Sequence, residues 1–382
     1  MQTRAAVLME MGARPPYAST RPLRLETLEL EPPGPGEVLI RARAAGLCHS
    51  DLSVIEGARP RPMPMALGHE AAGEVVELGE GVNDLVPGDH VVCAFVPSCG
   101  HCGPCQEGRP ALCEPGAEAN GRGTLLSGAR RLRLGQEPVH HHLGVSAFSD
   151  YAVVSRRSLV KIDPSLPFEH AALFGCALMT GVGAVVNTAR VPVGASVAIV
   201  GLGGVGLAAL LGAVASSARH IAAIDVNPEK LAFARELGAT HTYDARDPGV
   251  IDMVRADSAG GLEYVFETAG SVAAMKTAFA VTRRGGTTVT TGLPDPRHEW
   301  SVPQVLLAAE ERTIRGSYVG SCIPSRDIPR FISLFQQGKL PVDRLVSDVI
   351  DLDHINEGFD RLAAGQAVRI VVRMSEHDPR IG

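Results

Sequence analysis

Cys99, Cys102, Cys105 and Cys113 stand with two residues between each of the first three and seven before the last. Four soft thiolates so spaced suit a tetrahedral zinc ion, and Gly100, Gly103 and Pro104 supply the tight turns of a zinc knuckle. A site with four protein ligands has no open position, so this zinc should staple a loop rather than react. A second set, Cys48, the His69-Glu70 pair and Cys176, is scattered along the chain. Three such ligands would leave a fourth position for water or substrate, the arrangement of a catalytic zinc. Taken singly, a cysteine or histidine is more often a satisfied core residue than a ligand, so this set depends on its surroundings. Cys93 and Cys322 belong to no pattern and read as small buried residues.

Gly201-Leu202-Gly203-Gly204-Val205-Gly206 fits the G-x-G-x-x-G fingerprint. A β-branched run over 197–200 precedes it and a helical pattern follows. Asp225 lies 19 residues beyond Gly206, at the end of the next expected strand, where a ribose-binding acid is expected about 20 residues on. The glycines let the backbone approach a pyrophosphate, which the helix N-terminus stabilises. Asp225 would accept hydrogen bonds from the ribose hydroxyls and repel a 2′-phosphate, which favours NAD over NADP. A metal with an open position and a dinucleotide together imply metal-assisted hydride transfer.

These groups need a scaffold, and 382 residues are too many for one ordinary core, so two domains are expected. Residues 1 to about 177 show short β-type runs at 37–43, 73–78, 90–95 and 151–154, separated by Gly, Pro and Asn-Asp turns. From about 178 the rhythm becomes alternating β and α: a strand at 197–200, a helix to about 217 and a strand at 221–225. Asn227 and Pro228 start the next helix, which Gly238 ends; strands follow at 264–267 and 287–291, with Ser271 capping the helix between them. Such alternation implies a doubly wound parallel sheet with right-handed crossovers. After about 320 the character is mixed, with a helix at 331–338 and a strand at 368–372 that could pair back onto the first domain.

Composition narrows the class. The chain is 45% apolar and 20% charged, with 42 glycines, as in a compact globular protein. A net charge of −6 offers no basic field for nucleic acid. The first residues, MQTRAAVLMEMGARPP, lack an apolar h-region, so no secretion signal is expected and the cysteines read as ligands rather than disulfides. Two uncharged stretches, 171–189 and 195–218, approach membrane-span length. Glycines split the second into strand, turn and helix, and buried α/β core is the expected reading of both.

Gly-Leu-Cys48-His49-Ser50-Asp51, Gly68-His69-Glu70-Ala-Ala-Gly73, the four-cysteine loop and Gly175-Cys176 before Thr180-Gly181 occur in that order. In this combination the chain resembles the zinc-dependent medium-chain alcohol dehydrogenases, of the liver-type and glutathione-dependent formaldehyde dehydrogenase branch, over essentially its whole length. The resemblance implies a GroES-like, mainly β catalytic domain over 1–177 and 321–382, and a Rossmann NAD-binding domain over 178–320, with the active site in the cleft between. It implies two zinc ions per chain. Cys48, His69 and Cys176 would ligate the catalytic zinc, with Glu70 behind it as a transient ligand. Asp51 would fix the tautomer of His69, and Ser50 would hydrogen-bond the alcohol and begin the proton relay. His49, Arg369 and the glycine turn would contact the pyrophosphate, Asp225 and Lys230 the adenosine ribose, and Thr180 the nicotinamide.

Two departures from the family matter. Liver-type members carry a histidine three positions after the relay serine, where this chain has Ser53. Glutathione-dependent formaldehyde dehydrogenases carry an arginine four positions after the last structural cysteine, where this chain has Ala117. The segment 120–143 resembles the insertion of these dimeric branches, and its His140-His141-His142 run is expected in a partly exposed loop. Ser50, Leu125, Phe148, Leu293 and Val319 are the expected pocket positions. The leading expectation is a cytoplasmic homodimer that interconverts a primary, bulky or aromatic alcohol and its aldehyde with NAD. The alternatives are a thiol-dependent formaldehyde (S-hydroxymethyl-glutathione type) dehydrogenase and a non-catalytic dinucleotide-binding protein. No nucleic-acid or membrane partner is expected.

Overall fold

The computed structural model describes residues 1–375. It divides into two compact units: Met1–Cys176 with Ile323–Pro329 and the described residues from Val342 on, and Ala177–Cys322 with Arg330–Pro341. Sequence reasoning assigned 330–341 to the first domain, but the structure groups these residues with the second unit. The helix Pro324–Gln336 carries Pro329 inside it, and the division falls directly after that proline. A helical pattern marks the element without saying which core it serves.

In the first unit, strands Gln2–Leu8, Leu23–Leu30, Leu132–Leu134, Glu137–His141 and Met65–Ala66 close into a barrel, which leaves no free sheet edge. Ala5, Val7, Leu28, Leu30, Leu132 and Val139 fill its interior. Leu125 belongs to this core, and Phe148 is fully buried edge-on to Phe359, so these two expected pocket positions are packing residues instead. Beside the barrel, Leu159–Lys161, His90–Cys93, Glu70–Leu78, Glu37–Gly46, Arg369–Arg373 and Val346–Asp351 form a mixed sheet in that order. Tyr151–Ser155 also pairs with Glu37–Gly46.

This sheet positions chemistry through its register. Gly46 stands opposite Glu70, so the chain leaving one strand toward Cys48 passes the start of the other, directly after His69. A Cβ at Gly46 would lie 2.6 Å from Glu70 Oε1, so that approach requires glycine. Gly175 plays the same part on the third side: a Cβ there would meet Cys93 O at 2.2 Å. Cys176 follows, in a π-helical turn over Phe174–Leu178, a type of turn often found at functional sites.

The second unit is a parallel sheet ordered His241–Asp244, His220–Asp225, Ser196–Val200, Leu262–Glu267, Thr282–Thr290, Thr313–Gly316. The order reverses beside Ser196–Val200, the switch point at which doubly wound sheets take ligands at their C-terminal ends. Asn227 caps the helix Pro228–Glu236 by accepting from Glu229 N and Lys230 N, and Ser271 caps Val272–Val281. The strand expected from 287 begins earlier, at Thr282. Gly285 is absorbed as an irregularity in the pairing, where glycine alone suggested a break. Among the described residues one helix, Phe168–Ala189, is long and apolar enough to cross a membrane, but its apolar window is 83% buried in the protein. The 195–218 stretch is the strand Ser196–Val200 followed by the helix Gly204–Ala215.

Candidate active site and metal centres

Cys48 is the N-cap of the helix His49–Ile55, its sulfur accepting from Ser50 N. His69 immediately precedes the strand Glu70–Leu78, and Cys176 lies in the π turn. The three side chains come from distant points in the sequence, yet their ligating atoms lie within 4.8 Å of one another and all three residues are buried. The Cys48 and Cys176 sulfurs are 4.0 Å apart, far beyond a disulfide. Two thiolates on one tetrahedral zinc, at about 2.3 Å each, stand roughly 3.8 Å apart. His69 Nε2 is buried with no hydrogen-bond partner, as a nitrogen reserved for a metal would be. The residues fit zinc.

Behind them lies a buried layer of charge. His69 Nδ1 is 3.3 Å from Asp51 Oδ1 and 3.2 Å from Oδ2, which leaves Nε2 as the metal-facing nitrogen. Asp51 also accepts from Gly68 N at 3.1 Å. Burial would raise this carboxyl, but His69 and His142 beside it hold it down at about 2. Both Glu70 oxygens are buried without a hydrogen bond, and Arg369 Nε is 3.7 Å from Oε1. Burial pushes Glu70 up to about 7 against the pull of Arg369. Cys48 is held well below its ordinary value by a hydrogen bond from Cys176 despite burial, and Cys176 rises in turn.

The structure places the other expected residues as follows. Ser50 is half-buried two residues after Cys48, and His49 is exposed. Ser53 spends its hydroxyl on His49 O, at 2.8 Å. Arg369 is buried, donating to Leu47 O at 3.0 Å, so its guanidinium serves the layer behind Glu70. In the second unit, Gly201, Gly203, Gly204, Val205 and Gly206 form the turn into the helix Gly204–Ala215. A Cβ on Gly206 would lie 1.8 Å from Gly201 O, and Gly201 itself has φ +96°, so the turn admits no other residue there. Asp225 accepts from Leu202 N at 2.6 Å and Asn227 N at 2.9 Å, tying the end of its strand to the glycine turn. Lys230 lies half-buried in the first turn of its helix, and Thr180 is half-buried in Met179–Gly183. Leu293 is half-exposed and Val319 buried.

Cys99, Cys102, Cys105 and Cys113 converge with all four sulfurs within 4.8 Å. None of these cysteines is in a disulfide. Backbone N–H groups of His101 and Cys102 point at Cys99 Sγ, and those of Cys99 and Gly116 at Cys113 Sγ. Although burial raises the Cys99 thiol, the His101 and Cys102 donors bring it down to about 6. Donors aimed at sulfur favour thiolate, and this cluster also fits zinc.

One expectation fails. His140-His141-His142 is not a partly exposed loop: the strand Glu137–His141 includes the first two, and His141 and His142 are buried. His142 Nδ1 is 3.0 Å from Asp51 Oδ1, off the line of a hydrogen bond, and its ring stands edge-on to His69 at 5.4 Å. No motif marks His142. The only signal was three consecutive histidines, and the barrel pairing of Met65–Ala66 with His140 and His141 is what carries them inward.

Comparison with known proteins agrees with this geometry. Residues 34–164 match the alcohol dehydrogenase GroES-like domain and residues 204–337 the zinc-binding dehydrogenase domain. An S-(hydroxymethyl)glutathione dehydrogenase of Escherichia coli O1:K1 is 37% identical over 98% of this chain and 100% of its own length. An alcohol dehydrogenase zinc-binding domain protein from Burkholderia ambifaria superposes with a TM-score of 0.93 at 34% identity, covering 98% of this chain and all of that one. The benzyl alcohol dehydrogenase of Acinetobacter calcoaceticus gives 0.91 at 30% identity, with the same coverage of both chains.

Proposed function

The chain belongs to the zinc-binding alcohol dehydrogenases, NAD-dependent oxidoreductases built from a GroES-like and a Rossmann domain, and within that family we propose that it interconverts a primary, bulky or aromatic alcohol and its aldehyde. The observation that carries this reading is the buried Cys48–His69–Cys176 triad, with His69 Nε2 unsatisfied and its Nδ1 engaged by Asp51. When bound, zinc would supply Lewis acidity toward an oxygen, and NAD would accept one hydride, a proton with two electrons.

This chain's own residues do the rest. Cys48, His69 and Cys176 hold the ion, and Asp51 keeps the imidazole oriented and its metal-facing nitrogen unprotonated. Glu70, paired with Arg369 at 3.7 Å, would serve as a transient further ligand. Ser50 orients the alcohol hydroxyl and takes its proton. Because Ser53 is committed to the His49 carbonyl, the proton leaves by His49 or solvent rather than through Ser53. The glycine turn at 201–206 holds the pyrophosphate, with His49 contributing; Asp225 and Lys230 hold the ribose, and Thr180 backs the nicotinamide. The setting we propose is a cytoplasmic homodimer.

A second reading, oxidation of the glutathione adduct of formaldehyde, is favoured by the 37% identical relative of that name. Ala117 weighs against it. Initial rates across benzyl, cinnamyl and aliphatic alcohols, and with formaldehyde with and without glutathione, separate the two. Turnover of formaldehyde that strictly requires the thiol, with no turnover of simple alcohols, would replace the first reading by the second. A protein with both zinc ions and no turnover of any of these would sink both.

A further inference from the structure

Asp51 is fully buried, and its Oδ1 accepts from one backbone group, Gly68 N, at 3.1 Å. Two imidazoles stand against the same carboxylate. His69 Nδ1 lies 3.2 Å from Oδ2, and His142 Nδ1 lies 3.0 Å from Oδ1. His142 Nδ1 and Asp51 Oδ2 are both shut off from water without a hydrogen bond. Buried polar groups are costly when unmet, and at 3.0 Å the contact between His142 and Asp51 lacks only alignment.

The chain around His142 is built to hold that ring still. His142 N donates to Ser146 Oγ at 2.8 Å, and that hydroxyl donates to Ala66 O at 2.8 Å. Val145 N and Ser146 N both donate to His142 O. Phe148 N then donates to Leu67 O and Ala147 N to Gly68 O, so the turn after His142 is stitched to the three residues before His69. Leu143 and Ser146 take left-handed φ of 52° and 55°. Residues with side chains hold that conformation only where the surroundings dictate it, and such strain gathers at functional sites. The His142 ring packs edge-on to His69 with centroids 5.4 Å apart, as Phe95 does at 5.1 Å.

Resting on the zinc dehydrogenase reading above, we propose that His142 is a positioning residue for the catalytic metal: its Nδ1–H clasps Asp51 beside His69, so that the carboxylate cannot turn and His69 Nε2 stays aimed at the ion. A ligand histidine is oriented by the carboxylate on its other nitrogen, and loss of such an outer partner typically costs about 10- to 100-fold in metal affinity or activity. With only Gly68 N and His69 as partners, the carboxylate would swing with the ring it is meant to fix. A second imidazole, held by its own turn, sets its plane. The proton then sits on Nδ1 of His142 and of His69 alike.

The test measures release of zinc from the fully loaded enzyme, without NAD or substrate, to excess 4-(2-pyridylazo)resorcinol. Cys48→Ala, which retains the cluster ion alone, identifies the phase that belongs to the triad. His142→Phe keeps the edge-on ring and loses the donor, whereas His142→Asn keeps an N–H near the place of Nδ1 and loses the ring. Release from the triad is expected on the order of 10-fold faster in His142→Phe, and within about 2-fold of wild type in His142→Asn. A residue that merely fills space would give the reverse order. That reverse order overturns the proposal, as do equal rates in all three proteins or equal acceleration in both variants. If His142→Phe does not fold, nitrogen NMR of labelled histidines in zinc-loaded wild type decides: a protonated Nδ1 on His142 supports the clasp, and a bare one overturns it. Each of these failures leaves the dehydrogenase reading standing, because the ion is still held. Wild type that takes up only the cluster zinc overturns both. Wild type with two zinc ions and no turnover of any alcohol or of the formaldehyde adduct removes the dehydrogenase reading, while the order of release rates still decides what His142 does for the metal.

Discussion

At the scale of the residue, the triad and the cluster differ in what removal should do. Cys48 touches no loop that needs stapling, so Cys48→Ala should lower turnover by at least about 10³-fold, as losing a Lewis acid does. Metal analysis should then show one zinc per chain in place of two, with a melting temperature within a few degrees of wild type. Retained turnover would remove Cys48 from the metal. Asp225 is tested differently, since it also holds Leu202 N and Asn227 N. Asp225→Ser should raise the NADP-to-NAD ratio of kcat/KM by about 10-fold or more, because the repelling carboxylate is gone. An unchanged ratio in steady-state kinetics would deny it that role.

Elements explain why some groups serve and others brace. The cysteine loop has two very short helices, Gly103–Gln106 and Pro110–Leu112, which cannot hold themselves together in isolation. Cys102→Ala should therefore cost several degrees of melting temperature and make the loop protease-sensitive, while the remaining active enzyme keeps its KM. Unaltered melting would mean the cluster staples nothing. The strand Glu137–His141 gives a pH effect. His141 accepts from Arg131 N at 3.0 Å, and its full burial, helped by the charges of His140, Arg131 and Arg130, holds its pKa down at about 3 against an ordinary 6.5. Above pH 6.5 both folded and unfolded forms leave it neutral. As pH falls from 6.5 toward 3 only the unfolded chain gains the proton, so stability drops across that window. His141→Gln should flatten the fall in melting temperature between pH 6.5 and 4; an equally steep fall would assign it elsewhere. Legibility in the sequence follows the same division. Motifs with fixed spacing, the cysteine loop, the glycine turn and the Asn227 cap, could be read because each is made by neighbours in sequence. His142 could not, because what makes it matter is barrel pairing between 65–66 and 140–141. Leu125 and Phe148 were misplaced for a related reason: an apolar residue in a loop-rich stretch reads alike whether it lines a pocket or fills a core.

Over the whole molecule, the metal-binding groups all fall in one compact unit and the glycine turn in the other. Ligands should therefore act on separate parts of the unfolding curve. NAD at about 100 times its Kd should stabilise the nucleotide-binding unit by roughly 2.7 kcal/mol, and calorimetry of wild type with and without NAD checks it. Asp225→Ser should shrink that shift, whereas Cys48→Ala should leave it; a shift lost in Cys48→Ala would link the nucleotide to the metal instead. The strand Arg369–Arg373 lies inside the mixed sheet, between Glu37–Gly46 and Val346–Asp351, and brings Arg369 to Glu70. On the ribosome, that strand emerges only after the entire second unit has been made. Until it arrives, the mixed sheet lacks the strand between Glu37–Gly46 and Val346–Asp351, and Glu70 lacks its guanidinium partner.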